Sequence, residues 1–164
     1  MMMDAAAVIN VARTFTAAEI PFWLDGGWGV DALIGRQSRA HEDLDLIVPA
    51  VRVPAVSRAL SALGYDLAID DTPTRIVFKG GDARQIDIHL LVLDDEGGGF
   101  QPLPDGSVWR CPPAWLTGCG LVAGQAVPCL SADGQLAAHT GYALTDKDRH
   151  DLDLLQSHMG SKHG

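Results

Sequence analysis

The sequence predicts an α+β protein, a mixed β-sheet flanked by helices, on three observations. Residues 5 to 18 place Val8, Val11, Ala12 and Phe15 at i, i+3, i+4 and i+7, an amphipathic helix suited to covering a sheet. Two runs, Asp43-Leu44-Asp45-Leu46-Ile47-Val48 and Arg84 to Leu93, alternate apolar and polar residues with the period of a strand. Two helix-start signals, Ser131 and Thr145-Asp146-Lys147-Asp148, close the chain. A length of 164 residues suits one domain, residues 1–164, ending in two closing helices.

The elements follow in order. After the first helix, the apolar run Phe22-Trp23-Leu24 reads as a strand that meets the glycine pair Gly26-Gly27. Val30, Leu33 and Ile34 then recur at helical spacing, and Gly35 is a stop. Residues 54 to 63 form a second scaffold helix, with Pro54 in its first turn and Gly64 closing it. Tyr65 to Ile69 is a strand, and Thr74 to Lys79 with Arg84 to Leu93 form a hairpin turned at Gly80-Gly81-Asp82. Between Phe100 and Leu130 two more hairpins turn at Pro104-Asp105-Gly106 and Gly124-Gln125. Ser131 opens a helix to about Tyr142, the last helix turns Leu152 and Leu155 inward, and the tail from Ser161 frays.

Composition excludes several classes. Hydrophobic residues make up 47% and charged residues 20%, with no disorder signature. A net charge of −9 argues against nucleic acid as the partner, because phosphate contacts need clustered Lys and Arg. No apolar run approaches the roughly 20 residues of a membrane span. Met1 to Ala7 lacks a basic region and contains Asp4, so a signal peptide is not expected and the protein is read as cytoplasmic. Cys111, Cys119 and Cys129 lack the spacing of a metal or disulfide framework and are read as small packed residues.

The chemistry concentrates between Trp23 and Val48. A glycine turn entering a helix N-terminus presents free N–H groups and a positive dipole end, which suits phosphate. Asp43 and Asp45 stand on one strand face about 7 Å apart along the strand, and two carboxylates so close repel unless a cation lies between them. Asp87 is a third acid on the polar face of an otherwise apolar strand. Oxygen ligands of this kind favour Mg²⁺ or Mn²⁺. An Asp-x-Asp pair alone is common on exposed strand faces; the glycine turn and Asp87 together single this one out. Two readings stand for His41, a polar residue satisfied by its neighbours or a contact to nucleotide phosphate, and His89 is read as structural. Arg36 and Arg39 precede the acidic strand, where guanidinium suits phosphate oxygens and a solvated loop is the plainer alternative. Trp23 is read as core, and Trp115 and Tyr142 as lining a substrate or dimer surface.

Gly26-Gly27, the Asp43-x-Asp45 strand and Asp87 on a later strand resemble the polymerase-beta-type nucleotidyltransferase superfamily. The longer matches are Trp23-Leu-Asp-Gly-Gly-Trp-Gly-Val-Asp31, Arg39-x-His41-x-Asp43-x-Asp45, Asp87-Ile88-His89, Pro128-Cys129-x-Ser131 and His139-x-Gly141-Tyr142. These are similar to the small antibiotic nucleotidyltransferases, most closely the lincosamide nucleotidyltransferases. The resemblance implies a nucleotidyltransferase fold and an enzyme that transfers AMP from ATP to a hydroxyl of a lincosamide (lincomycin, clindamycin), releasing pyrophosphate and conferring antibiotic resistance.

It further implies that Asp43, Asp45 and Asp87 hold two Mg²⁺ ions, with Asp87 also the base that takes the acceptor's proton. Gly26, Gly27, Trp28, Arg39 and His41 would bind nucleotide, and Trp115 and Tyr142 substrate. Asp148 and Asp151 match the family as well, as structural or pocket residues, whereas Lys147 is not part of its pattern. Family members commonly pair, so a homodimer is expected, with antibiotic and nucleotide as its small-molecule partners. An aminoglycoside nucleotidyltransferase is the alternative within the superfamily. A nucleotide-sugar glycosyltransferase, which also uses Asp-x-Asp but releases a nucleoside diphosphate, and a non-catalytic nucleotide-binding or antitoxin-like module rank below it.

Overall fold

The computed structural model describes residues 3–139 and 143–163, and the side chains of 3–139 and 143–160. Helix α1 (Ala5–Ala17) opens at Asp4, whose carboxylate accepts the Ala7 N–H at 2.9 Å, and buries Val8, Val11, Ala12 and Phe15 as the spacing predicts. Strand β1 (Trp23–Asp25) runs directly into α2 (Gly26–Ile34), which Gly35 ends in the left-handed conformation at φ 81°. Strand β2 (Leu44–Pro49) leads to α3 (Val53–Ala62), which carries Pro54 in its first turn.

Strands β3 (Asp66–Asp71), β4 (Arg75–Lys79) and β5 (Gln85–Leu93) form a meander. The hairpins β6 (Gly99–Pro102) with β7 (Val108–Cys111) and β8 (Gly118–Val122) with β9 (Gln125–Cys129) turn where the sequence places them. Helix α4 (Ala132–Ala138) is capped by the Ser131 hydroxyl, which accepts the Gly134 N–H. Helix α5 (Asp146–His163) opens on a reciprocal capping box: Thr145 N–H donates to the Asp148 carboxylate at 2.9 Å, and Asp148 N–H to the Thr145 hydroxyl at 3.1 Å. Its helical backbone continues through His163, past the predicted fraying at Ser161. The helix from Ser131 ends at Ala138 with His139 as its C-cap, short of the predicted end near Tyr142, and Tyr142 itself lies outside the described residues.

Among the described residues nine strands join in one mixed sheet, ordered β3-β4-β5-β2-β1-β9-β8, with β6 and β7 extending from β5. β1 and β2 are antiparallel, while β2 with β5 and β1 with β9 are parallel. This settles the α+β class, and the register divides the sheet's two faces. Leu24, Leu44, Leu46, Val48, Ile86, Ile88 and Leu90 point to one face and join the main core with α1, α3 and the buried face of α2. Ala32 of α2 lies so close over β8 that a side chain at Gly120 would strike its backbone.

On the opposite face, Asp25, Asp45 and Asp87 stand side by side in one row across β1, β2 and β5. The next row is Trp23, Ile47 and His89. Ile47 and Leu91 then nucleate a second, smaller core with Cys111 and Leu130, against which Trp23, Trp109 and Trp115 pack. That face is therefore acidic at one end and aromatic at the other.

Candidate active site

Three features bring the predicted acids together: the bare turn at Gly26, the period of β2, and the parallel pairing of β2 with β5. Asp43 immediately precedes β2 and Asp45 lies within it, so both project to the same face; Asp87 is Asp45's direct neighbour on β5. One carboxylate oxygen from each of Asp43, Asp45 and Asp87 lies within 4.8 Å of the other two. Gly26 takes φ +59°, and a Cβ there would land on the Asp45 carboxylate, so only glycine lets the chain turn this close. Gly27 does not adopt positive φ; its reason is space, since a Cβ would come 2.5 Å from Arg39 Nη2 and 2.7 Å from His41 Nδ1.

Electrostatics mark the acids as a strained group. Burial, then the charges of Asp45 and Asp87, push the Asp43 carboxyl up to about 6. Burial raises Asp87 too, against the opposing Gln85 hydrogen bond and with the help of Asp45's charge. Asp87 is buried rather than on an exposed face: Gln85 Nε2 donates to its Oδ1 at 2.8 Å, and Arg75 Nη1 lies 3.6 Å from its Oδ2. His89 Nε2 sits 3.1 Å from Asp45 Oδ1. Burial works against charge on His89, but the Asp45 hydrogen bond and the charges of Asp45, Asp25 and Asp87 outweigh it and raise the ring to about 9. An all-carboxylate donor set whose members repel one another suits a hard divalent cation, the ligand class the sequence predicts.

Beside the acids a cavity of about 240 Å³ is lined by Gly26, Gly27, Arg39, His41, Asp43 and Asp45 and walled by α5 through Lys147 and Asp151. Arg39 makes a bidentate pair with Asp151, Nε to Oδ1 at 3.1 Å and Nη2 to Oδ2 at 2.9 Å. His41 is buried; its Nε2 donates to Asp31 Oδ2 at 2.7 Å, and its ring packs on Trp28 at 4.6 Å between centroids. Its Nδ1 edge faces Gly27, so the ring is both a satisfied core residue and part of the cavity wall. Trp28 departs from the expectation of nucleotide contact. Its indole is buried in the main core, with Nε1 donating to the Met3 carbonyl at 3.1 Å, because the helix turns that position inward.

Trp115 lies apart from the acids, in the small core, with its ring 5.8 Å from that of Trp109. Sequence reading missed three contributors. Asp25 completes the acidic row; its place two residues after Trp23 in an alternating strand was visible, but the antiparallel register with β2 was not. Burial raises its carboxyl, with His89 opposing and Asp45 adding to the rise. Gln85 and Arg75 hold Asp87 from its own strand and from β4; the two-residue spacing of Gln85 was a local signal, whereas nothing local in the sequence pairs Arg75 with Asp87.

Comparison with known proteins bears on this arrangement. The family described as Aminoglycoside-2''-adenylyltransferase matches residues 7–155. The lincosamide resistance protein of Staphylococcus haemolyticus is 34% identical over 87% of this chain and 88% of its own. The 2''-aminoglycoside nucleotidyltransferase of Escherichia coli is 29% identical over 86% and 77%. Among solved structures, the lincomycin-bound lincosamide antibiotic adenylyltransferase LnuA superposes with a TM-score of 0.81 at 33% identity, covering 92% of this chain and 94% of that one. ANT(2'')-Ia in complex with adenylyl-2''-tobramycin shares the fold, with a TM-score of 0.72 at 20% identity over 97% and 91%. A match that runs from α1 into α5, on a chain of the same fold, makes this protein a nucleotidyltransferase of the aminoglycoside-2''-adenylyltransferase family.

Proposed function

We propose that the protein transfers AMP from ATP to a hydroxyl of a lincosamide such as lincomycin or clindamycin, releasing pyrophosphate and conferring resistance. The observation that carries this reading is the trio Asp43, Asp45 and Asp87 beside the Gly26 turn, on a chain 33% identical to a lincomycin-bound adenylyltransferase of the same fold. Asp43, Asp45 and Asp87 would hold divalent metal, two Mg²⁺ ions in our reading, whose chemistry is to neutralise charge on the triphosphate and the departing pyrophosphate. The chain's own groups supply the rest. Backbone N–H groups at Gly26 and Gly27, with Arg39 and the Nδ1 edge of His41 in the cavity wall, receive the triphosphate. Asp87 orients the acceptor's hydroxyl and accepts its proton, itself held by Gln85 at Oδ1 and by Arg75 3.6 Å from Oδ2. The aromatic end of the face, with Trp109 and Trp115, carries the acceptor's apolar body.

A second reading, an aminoglycoside acceptor, is favoured by the family match and by the 29% identical aminoglycoside relatives. We also propose that the enzyme works in the cytoplasm as a homodimer, which a monomeric mass in solution would overturn. Among the described residues no helix is long and apolar enough to cross a membrane. The test is pyrophosphate release from ATP and Mg²⁺ with lincomycin, clindamycin and several aminoglycosides, with the product's mass determined. A lincosamide carrying one adenylyl group is expected. Adenylylated aminoglycoside alone would select the second reading, and release of a nucleoside diphosphate would end both. Asp87→Asn is expected to lower turnover by about 10²–10⁴-fold with ATP binding retained; an undiminished rate would remove Asp87 as base.

A further inference from the structure

We propose that Asp25 is the residue that selects a positively charged acceptor, by pairing an ammonium group while the acceptor's hydroxyl lies at Asp87. The assignment rests on the adenylyl-transfer reading and adds to it the acceptor's charge and shape. Asp25, Asp45 and Asp87 share one row, yet their partners differ. Asp45 and Asp87 belong with Asp43 to the metal-spaced trio, and Asp25 stands outside it. Asp45 is paired with His89, and Asp87 is held by Gln85 and Arg75. No side chain among the described residues hydrogen-bonds or ion-pairs with Asp25, and its carboxylate makes no capping bond to the helix that follows. It is the acid that the fold leaves for something else.

Its neighbours indicate what. Trp23, two residues before it on the same face of β1, leads into the small core, where the half-buried rings of Trp109 and Trp115 lie 5.8 Å apart, tilted by 35°. Asp25's charge reaches Cys111 in that core, so the carboxylate marks the border between the acidic and aromatic ends of the face. The His89 ring acts on Asp25 through space but is hydrogen-bonded to Asp45, so the Asp25 carboxylate has no counterion in contact, and a ligand cation would offset the cost of its burial. Asp87 and Asp25 lie two strand spacings apart, about 10 Å. The matching acceptor has a hydroxyl and an ammonium group separated by that distance and an apolar body to cover the tryptophans. A neutral polyol fits poorly.

The test compares lincomycin, whose N-methylpyrrolidine carries the charge, with its N-demethylated and N-acetylated analogue, an uncharged amide. Both are assayed on the wild type, Asp25→Asn and Asp25→Glu, with calorimetric titration of each compound alongside. We expect the wild type to favour lincomycin in kcat/KM, and Asp25→Asn to raise KM for lincomycin about tenfold or more with KM for ATP moved by less than about threefold. The preference over the amide should collapse in Asp25→Asn and survive in part in Asp25→Glu. An intact preference in Asp25→Asn, or a KM for ATP that rises in step, would overturn the assignment.

If Asp25→Asn does not fold, equal use of lincomycin and the amide by the wild type overturns it, and a wild-type preference that Asp25→Glu retains supports it. If the wild type releases no pyrophosphate with either compound, the adenylyl-transfer reading fails by itself. In that case calorimetric binding of lincomycin weakened tenfold in Asp25→Asn still supports the role of Asp25. Unchanged binding, or no binding to the wild type, refutes it.

Discussion

Asp31 shows how much of the site's order resides in single side chains behind it. It is almost fully buried, and it accepts from Ser38 N at 2.9 Å, Ser38 Oγ at 2.5 Å and His41 Nε2 at 2.7 Å. Burial alone would raise its carboxyl, but the hydrogen bonds from His41 and Ser38 outweigh it and hold the group below the ordinary carboxylate range. A depressed folded value adds stability above the unfolded value of about 4, and that contribution is lost as pH falls through the folded value. Asp31→Asn is therefore expected to cost about 1–3 kcal/mol near neutral pH. The gap to the wild type should narrow in acid, as read by thermal unfolding across pH. A gap that does not depend on pH would show that the charge of Asp31 is not what stabilises the fold. Because Asp31 orients His41 and Ser38 lies one residue before Arg39, the same substitution loosens the cavity wall.

At the scale of elements, α5 is tied to the segment that leads into β2. Arg39 pairs with Asp151, Ser38 Oγ lies 3.1 Å from His150 Nε2, and Lys147 Nζ is 3.2 Å from Glu42. The exposed Lys147 pair contributes little, whereas Asp151 is 3% exposed and its bidentate bond fixes the guanidinium that faces the cavity. Asp151→Asn should cost about 1.5–3 kcal/mol of stability and raise KM for ATP more than it lowers kcat. A stability loss with KM for ATP unchanged would make Arg39 a latch for α5 and not a triphosphate ligand. Elements of this kind were legible in the sequence where the signal is local. The period of β2 and β5, the three hairpin turns and the Thr145–Asp148 capping box all depend on residues within a few positions of one another. Trp28 misled because a tryptophan next to a glycine turn looks available, while the helix that begins at Gly26 rotates it into the core. Asp25 and Arg75 stayed hidden because their roles depend on strand pairing, which spacing along one chain segment does not encode, whereas Gln85, two residues before Asp87 on the same strand face, was legible from the period of β5.

The whole molecule carries a net charge of −9, and its sheet places three mutually repelling carboxylates within 4.8 Å on one face. A cation bound there in the folded state alone stabilises the protein by mass action, and at ten times its dissociation constant the gain is about 1.4 kcal/mol. For a chain of this size that corresponds to a rise of about 3–6 °C in Tm. Mg²⁺ titration of the wild type, followed by thermal unfolding, should show this rise saturating, and a chelator should reverse it. General screening of a negatively charged chain also stabilises, and does so with any salt. The control is therefore NaCl at matched ionic strength, which reproduces screening without occupying an oxygen site. Asp43→Asn relieves part of the repulsion by itself and should begin at a Tm no lower than the wild type, whereas Asp45→Asn also loses the pair with His89 and should begin lower; both should respond weakly to Mg²⁺. Should NaCl match the Mg²⁺ response, or should both variants respond as the wild type does, the stabilisation belongs to the net charge of the whole molecule, and the trio is not a metal site.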